Sequence, residues 1–393
     1  YRDSYVYIPY MCDHCYALAA VFEGCGVRAK VMPPSDKESF ILGRQAVSGK
    51  ECYPCLLTAG DMLKTLKLPE FDPKYAAFFM PTGSGPCRFG QYAHFHRRVL
   101  DEWGYPEIPI FSPNQDGEHY EKLGMVANDF ILWAWRGLVA VDILEKLLRQ
   151  TRPYEAISGE TNKLYQKYLE KICMYLRNKQ EPLLLLAKAV KDFERIKKKE
   201  LSKPVVGIVG EIYLRSNPFA NEYLVQRLES MGAEVWLPPM GEWIFYTNHT
   251  ALLRNWRQLY LRRALKLVIA AIIQYKEEWR FVRRVKSVLK YAHEPLILQL
   301  LHWAKPYLHP AFEGEAVLTI GKAIDFLKKG TKGIINVMPF TCMPGTIAQA
   351  VFARLQREKR NFPCLHLAFD GQEQTNTQTR LEAFMHQVKE LHN

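Results

Sequence analysis

AAFFMPTGSGPCRFGQYAHFHRRVLDEWG, residues 76–104, contains one whole unit of the fold. The short apolar run AAFFMPTG at 76–83 reads as a buried strand, and Gly83, Gly85 and Pro86 break it. FGQYAHFHRRVLDEWG then takes up helical spacing. The same succession recurs on either side. VYIPY at 6–10 precedes HCYALAAVFEGCG, and RAKVMPP at 28–34 precedes SDKESFILGRQAV, where Ser35 is placed to cap a helix with Glu38 three residues on. PEIPIFSP at 106–113 leads to a loop and a helix around 120–150. Strands alternating with helices in this way imply a parallel, doubly wound α/β sheet.

A second α/β series opens with PVVGIVGEIYL at 204–214 and continues through AEVWLPPM at 233–240, KGIINVMPF at 332–340 and FPCLHLAFD at 362–370. The segment from Tyr154 to Lys199 is helical and highly charged. The expected organisation is an N-terminal α/β domain over 1–152, a helical connector over 153–203, and a C-terminal α/β domain over 204–393 with a helical insertion at 250–305. Both halves place a cysteine after a strand ending in Met-Pro, in MPTGSGPC and MPFTC, which hints at two related domains facing each other.

With 393 residues, 48% hydrophobic and 24% charged, the chain has an ordinary globular composition. Its nine cysteines are scattered and odd in number, which argues against a disulfide scaffold and for reduced thiols in the cytoplasm. The longest apolar run, near LKLVIAAIIQY at 265–275, is too short to span a bilayer, so no membrane partner is expected. The chain opens at Tyr1 and not at Met, so further upstream sequence is an expectation. Much of the net charge of +12 lies in 254–290, RNWRQLYLRRALKLVIAAIIQYKEEWRFVRRVKSVLK. Amphipathic helices turning Lys and Arg to water account for it better than a nucleic-acid site, since no nucleic-acid motif accompanies it. A docking face for an acidic partner is a third reading.

The cysteines carry the chemistry. Cys12 in IPYMCDHC, Cys87 in the opening stretch and Cys342 in NVMPFTCMPGT each follow a strand, and KECYPC adds Cys52 and Cys55. Ligands of open α/β sheets bind beyond the carboxyl ends of the strands, and thiolates gathered there from remote loops suit an iron–sulfur cluster. Neighbouring Gly and Pro let the backbone approach an inorganic core. Three alternatives stay open: a zinc site from the CxxC pairs at 12–15 and 52–55, buried structural cysteines, and, for Cys15, either ligation or packing at a helix start. The 36 residues between the pairs exceed usual zinc-ribbon spacing, and zinc leaves Cys87 and Cys342 unexplained. Cys25, Cys173 and Cys364 fit the core.

VYIPYMCDHCYALAA, SGKECYPCLLTAGDML, MPTGSGPCRFGQY, VGIVGEIYLRSNPFANE, MPFTCMPGT and LAFDGQEQTNTQTRLEAFMHQ together resemble the C-terminal region of large proteins related to activators of 2-hydroxyacyl-CoA dehydratases. More broadly the chain resembles the superfamily of 2-hydroxyacyl-CoA dehydratases, benzoyl-CoA reductases and double-cubane cluster proteins. The resemblance implies two Rossmann-like (flavodoxin-like) domains with an oxygen-sensitive cluster between them, in a protein of anaerobic metabolism. It implies a [4Fe–4S] cluster on three cysteines or an [8Fe–9S] double cubane on six, and the surplus here favours the double cubane, on Cys12, Cys15, Cys52, Cys55, Cys87 and Cys342. Relatives commonly carry another residue at the position of Cys15. The implied activity is ATP-dependent low-potential reduction (an oxidoreductase) or an acyl-CoA dehydratase-like lyase reaction, on a small or CoA-thioester substrate. A non-catalytic electron relay is the alternative. The implied partners are an activator ATPase with its own [4Fe–4S] cluster and a second copy of the chain. No P-loop GxxxxGK[ST] occurs, so ATP is expected to bind elsewhere.

Reduction also needs protons and a pocket. His14 is the candidate proton donor, Glu51 a candidate relay, and Arg88 a candidate counter-charge, with Asp13, Gln91 and Tyr92 near the same cysteines. Glu211, Arg215, Asn217 and the run Asp370-Gly371-Gln372-Glu373 follow strands of the second half and are expected at the same crevice, or as polar turns and caps. His94 and His96 are expected to pack or to face solvent.

Overall fold

The computed structural model describes residues 4–83, 85–114, 126–359, 362–372 and 376–392. In the first half, strands β1 (Tyr5–Ile8), β2 (Ala29–Val31), β3 (Ala76–Phe79) and β4 (Ile110–Phe111) lie parallel in the order β2-β1-β3-β4. Val6 sits between Ala29 and Ala77, and Phe78 faces Ile110. Helices α1 (His14–Gly24), α2 (Lys37–Ala46), α3 (Tyr53–Leu66), α4 (Tyr92–Glu102) and α5 (Phe130–Thr151) accompany this sheet.

Helices α6 (Glu160–Arg177) and α7 (Leu183–Glu194) occupy the expected connector, but they are not a free linker. Tyr168, Ile172, Leu176 and Phe193 are buried in the same apolar core as Phe22 of α1 and Leu144 of α5. Their alternation of charged and apolar residues is that of helices half-buried against a domain.

The second half repeats the first. Strands β5 (Val205–Gly210), β6 (Glu234–Trp236), β7 (Gly333–Pro339) and β8 (Cys364–Phe369) lie parallel in the order β6-β5-β7-β8. In both sheets the chain goes one way from the first strand and the other way to the third, the flavodoxin-like arrangement, so each sheet has a switch-point crevice between its first and third strands. Helices α8 (Ile212–Ser216), α9 (Leu224–Ser230), α10 (Met240–Arg257), α11 (Leu261–Val285), α12 (Ile297–Ala304), α13 (Glu315–Lys328), α14 (Met343–Glu358) and α15 (Thr377–Glu390) complete the half. The expected insertion at 250–305 begins inside α10. On α11, Arg262, Arg263, Lys266, Arg283 and Arg284 face water as the composition suggests, but so do Leu261, Leu265, Ile269, Ile272 and Trp279. Among the described residues no helix is long and apolar enough to cross a membrane.

Helix α2 starts one residue later than Ser35 would dictate. Asp36 is its cap: Ser39 N–H donates to Asp36 Oδ1 at 2.9 Å, and Asp36 N–H donates to Ser39 Oγ at 3.3 Å. Ser35 is instead drawn inward, donating to Asp61 at 2.7 Å beside the Tyr213 hydroxyl of the other half at 3.2 Å.

Helices α2 and α3 cross with their backbones in contact. A Cβ on Gly60 would lie 1.8 Å from the Ser39 carbonyl oxygen, and one on Gly43 would lie 2.2 Å from that of Leu56. Because α3 starts at Cys52, this crossing sets where that thiol stands. Gly60→Ala is expected to destabilise the fold by at least about 2 kcal/mol, the scale of over-packing. Gly85→Ala, with nothing within 4 Å of its new methyl, is expected to stay within about 0.5 kcal/mol. Urea unfolding of the two variants checks the contrast; equal losses would contradict it.

Candidate functional site

The switch-point crevices of the two sheets open into one cavity of about 520 Å³. Its wall includes Ile8 and Pro9 at the end of β1, Phe79 and Met80 at the end of β3, Glu211 after β5 and Pro339 at the end of β7. Five of the six singled-out cysteines reach it: Cys12, Cys15, Cys52, Cys87 and Cys342. Cys55 does not line it; it packs behind the wall with Cys52, Met80 and Tyr92.

Local structure explains how the thiols are presented. Cys52 is the N-cap of α3, Cys342 is the N-cap of α14, and Cys87 caps the short turn Arg88–Gln91 that leads into α4. A helix N-terminus favours negative charge, so these are positions that stabilise a thiolate. Cys52 Sγ hydrogen-bonds with the Tyr92 hydroxyl, and Phe89 N–H donates to Cys87 Sγ at 3.5 Å. Burial nevertheless raises the Cys52 thiol and pushes Cys87 and Cys342 up to about 12, with further opposition from the charges of Glu211, Glu315 and Cys52. The Cys52 charge thus reaches Cys87, Cys342 and Cys55 alike.

Cys12 and Cys15 form a second group, and Cys15 Sγ donates to Pro9 O at 3.1 Å. Each thiol acts on the other: the Cys15 thiol raises Cys12 well above its ordinary value, and the Cys12 thiol lowers Cys15 to about 7. Cys12 Sγ lies 3.3 Å from His14 Nδ1. His14 Nε2 donates to Asp142 Oδ1 at 3.0 Å, and Glu145 is 3.7 Å from Nδ1. Burial opposes the imidazolium, but the Asp142 and Glu145 carboxylates outweigh it and lift the pKa to about 9. Asp142 also accepts from Met240 N–H at 2.8 Å and Gly241 N–H at 3.0 Å. Asp13 accepts from Tyr165 at 2.6 Å and from Tyr10 at 3.0 Å and stays within this network.

The other candidates divide clearly. Arg88 lines the cavity and bridges its two sides, donating to Lys50 O at 2.9 Å and Thr341 O at 3.1 Å. Glu51 does not line the cavity: its carboxylate accepts from the backbone of Ser48, Gly49 and Lys50 and locks that turn. Glu211 lines the cavity and caps α8 through Tyr213 and Leu214 N–H. Arg215 and Asn217 are buried and bond to backbone, at Gly210 O and Tyr10 O. Asp370 accepts from Gln372 N–H in a turn, and Glu373 lies outside the described residues. His96 is buried at 3.2 Å from Thr58, with burial lowering its pKa to about 4.

Sequence reading missed Asp142, Glu145 and Glu315. Glu315 shares the cavity with Glu211 and accepts from Ile212 N–H at 2.8 Å. Burial first, and then the Glu211 charge, raises its pKa to about 8, and burial raises Glu211 as well. Among the described residues no three His, Cys, Asp or Glu side chains meet where a single metal ion could be held. No protein-family model matches the chain, and no curated protein matches it.

The His14 ion pair gives a pH signature. A pKa raised from 6.5 to about 9 on folding adds stability that is complete below pH 6.5 and disappears as the pH rises through 9. The pH-dependent part is about 3 kcal/mol. His14→Gln is therefore expected to cost most at pH 6 and progressively less up to pH 10, read by urea unfolding across that range. A loss that does not vary with pH would contradict the ion pair.

Proposed function

We propose that this chain is an iron–sulfur protein in which Cys52, Cys87 and Cys342 hold the cluster, and that it serves as a low-potential reductase component supplied with electrons by a separate activator ATPase. The carrying observation is that three thiols from three remote loops, two that follow strands (Cys87 and Cys342) and one between two helices (Cys52), reach one cavity, each from a capping position.

The donor set fits such a group. A single zinc ion needs its sulfur ligands about 2.3 Å from one point, whereas a multi-iron cluster spreads its thiolates over several metal atoms. A thiol that burial keeps protonated, as at Cys342, becomes a thiolate when a cationic core binds it. Arg88, tied to both walls, would offset the remaining negative charge. A three-thiolate, [4Fe–4S]-type set is better supported than the six-thiolate double cubane, because Cys55 stands behind the wall, Cys12 Sγ lies against His14 and Cys15 Sγ donates to the Pro9 carbonyl. When bound, the cluster would supply one-electron transfer at low potential.

The chain's own residues supply the rest. Leu18, Phe130, Ile131, Leu138 and Ile244 give the cavity an apolar flank suited to the acyl or aryl part of a small or CoA-linked substrate. His14 holds a proton on the Cys12 side, and Glu315 holds one on the cluster side. Either a reduction or a dehydratase-type elimination would draw on these two proton sources.

Anaerobic purification with iron and sulfide reconstitution is expected to give a brown protein with about four irons per chain. Cys52→Ala, Cys87→Ala and Cys342→Ala should each lose most of that iron, while Cys55→Ala should keep it. A colourless reconstituted protein, or full iron in the Cys87 and Cys342 variants, would overturn the reading.

A further inference from the structure

We propose that Cys12 and Cys15 are a reversible dithiol/disulfide couple that exchanges with low-molecular-weight disulfides entering the cavity. The couple is independent of the cluster thiols.

The backbone already has the needed shape. Cys15 N–H donates to Cys12 O at 3.0 Å, closing a tight turn at the start of α1. Such a turn brings its first and fourth Cα atoms within about 7 Å, in reach of the roughly 4.4–6.8 Å that a disulfide spans. In the reduced state Cys15 Sγ donates to Pro9 O at 3.1 Å and Cys12 Sγ lies 3.3 Å from His14 Nδ1, so both thiols have polar partners at the same end of α1. Met11 N–H donates to Cys15 Sγ at 3.5 Å, a contact that supports a sulfur anion at that site.

The other CxxC pair shows that the turn alone is not enough. Cys55 N–H donates to Cys52 O at 2.9 Å in the same way. There, however, the Cys52 thiol is taken by the Tyr92 hydroxyl, and Cys55 does not reach the cavity. Cys12 and Cys15 both line the cavity, so a small disulfide can reach them.

The chemistry balances. A thiolate of the pair attacks one sulfur of R–S–S–R, forming a mixed disulfide and releasing the first thiolate, which leaves as RSH after protonation. His14, 3.3 Å from Cys12 Sγ, is placed to give that proton. The second protein thiol then attacks the mixed disulfide, forming the Cys12–Cys15 bond and releasing the second RSH. The protein loses two electrons and two protons, and the small disulfide gains them.

The test uses the full chain, equilibrated anaerobically with graded ratios of reduced to oxidised dithiothreitol, acid-quenched and alkylated with iodoacetamide. Cleavage after Arg2 and Arg28 yields one peptide with Cys12, Cys15 and Cys25, so Cys25 is an internal control. Mass spectrometry is expected to show three alkyl groups under reducing conditions and one under oxidising conditions. Cys12→Ser and Cys15→Ser should each keep both remaining thiols alkylated at every ratio. With oxidised glutathione, His14→Gln should slow the exchange about a hundredfold without moving the dithiothreitol end point. Three alkyl groups at the most oxidising ratio, or a bond involving Cys25, would overturn the proposal. So would Cys12→Ser losing the iron of the reconstituted protein. An iron-free chain that still forms the Cys12–Cys15 bond would sink only the cluster reading.

Discussion

The Asp142 carboxylate joins the parts of the molecule that make the site. It projects from α5, accepts two backbone N–H groups from the start of α10 and pairs with His14 on α1. Each partner needs it. The first amides of α10 have no acceptor within their own helix, and a buried imidazolium must have its lost hydration offset, which Asp142 does at 3.0 Å with Glu145 assisting at 3.7 Å. Gly241 permits the approach, since a Cβ there would stand 3.3 Å from Asp142 Oδ2. Removing one member of such a buried set leaves the others uncompensated, a loss of about 3–5 kcal/mol. The result is a cavity whose two halves, from sheets far apart in sequence, are held in register by one anion.

A second buried network secures the helices behind that wall. Lys322 of α13 is enclosed by Glu242 at 2.8 Å, Asp325 at 3.2 Å and Glu294, and Glu294 also takes Lys146 from α5. The opposing carboxylates hold Lys322 charged despite burial, and the lysines hold Glu294 far below the ordinary carboxylate range. Both networks tie α5 to the second half. This is why the helices after the first sheet form a shared core and not a hinge.

The fold was legible because its signals are local. Short apolar runs ending in Gly, Pro or Met-Pro mark parallel strands whichever partner they meet, and the four strands of each sheet fall where those runs lie. The strand-end cysteines were legible for the same reason, since a strand's carboxyl end fixes which crevice its loop enters. The partners were not legible. Nothing around Asp142 or Glu315 distinguishes it from a solvated carboxylate, because its role is set by groups roughly a hundred residues away. Ser35 reads as a cap until Asp61 and Tyr213, brought in by tertiary packing, claim its hydroxyl and leave the cap to Asp36. Glu51 reads as a relay beside Cys52, yet three nearby amides are closer partners than the cavity. In α11 the basic residues face water as their charge demands, while helical period alone does not say which apolar residues lack a cover.

The two sheets share a topology and diverge in what they place at equivalent points. After the third strand of each comes a cysteine, Cys87 following β3 and Cys342 following β7, so the pair that faces across the cavity is a product of the repeat. After the first strand the halves differ: β1 leads to Cys12 and β5 to Glu211, a thiol in one half and a carboxyl in the other. Arg88 crosses the seam to the carbonyl of Thr341, a β-branched residue held at φ 61°, a conformation that costs about 1–3 kcal/mol where it occurs. That strain sits between Phe340 and the capping Cys342, and Arg88 restrains it from the other half. The residue before the Cys342 thiol is thereby held by a contact that neither half supplies alone, and the cavity is lined by residues of both halves.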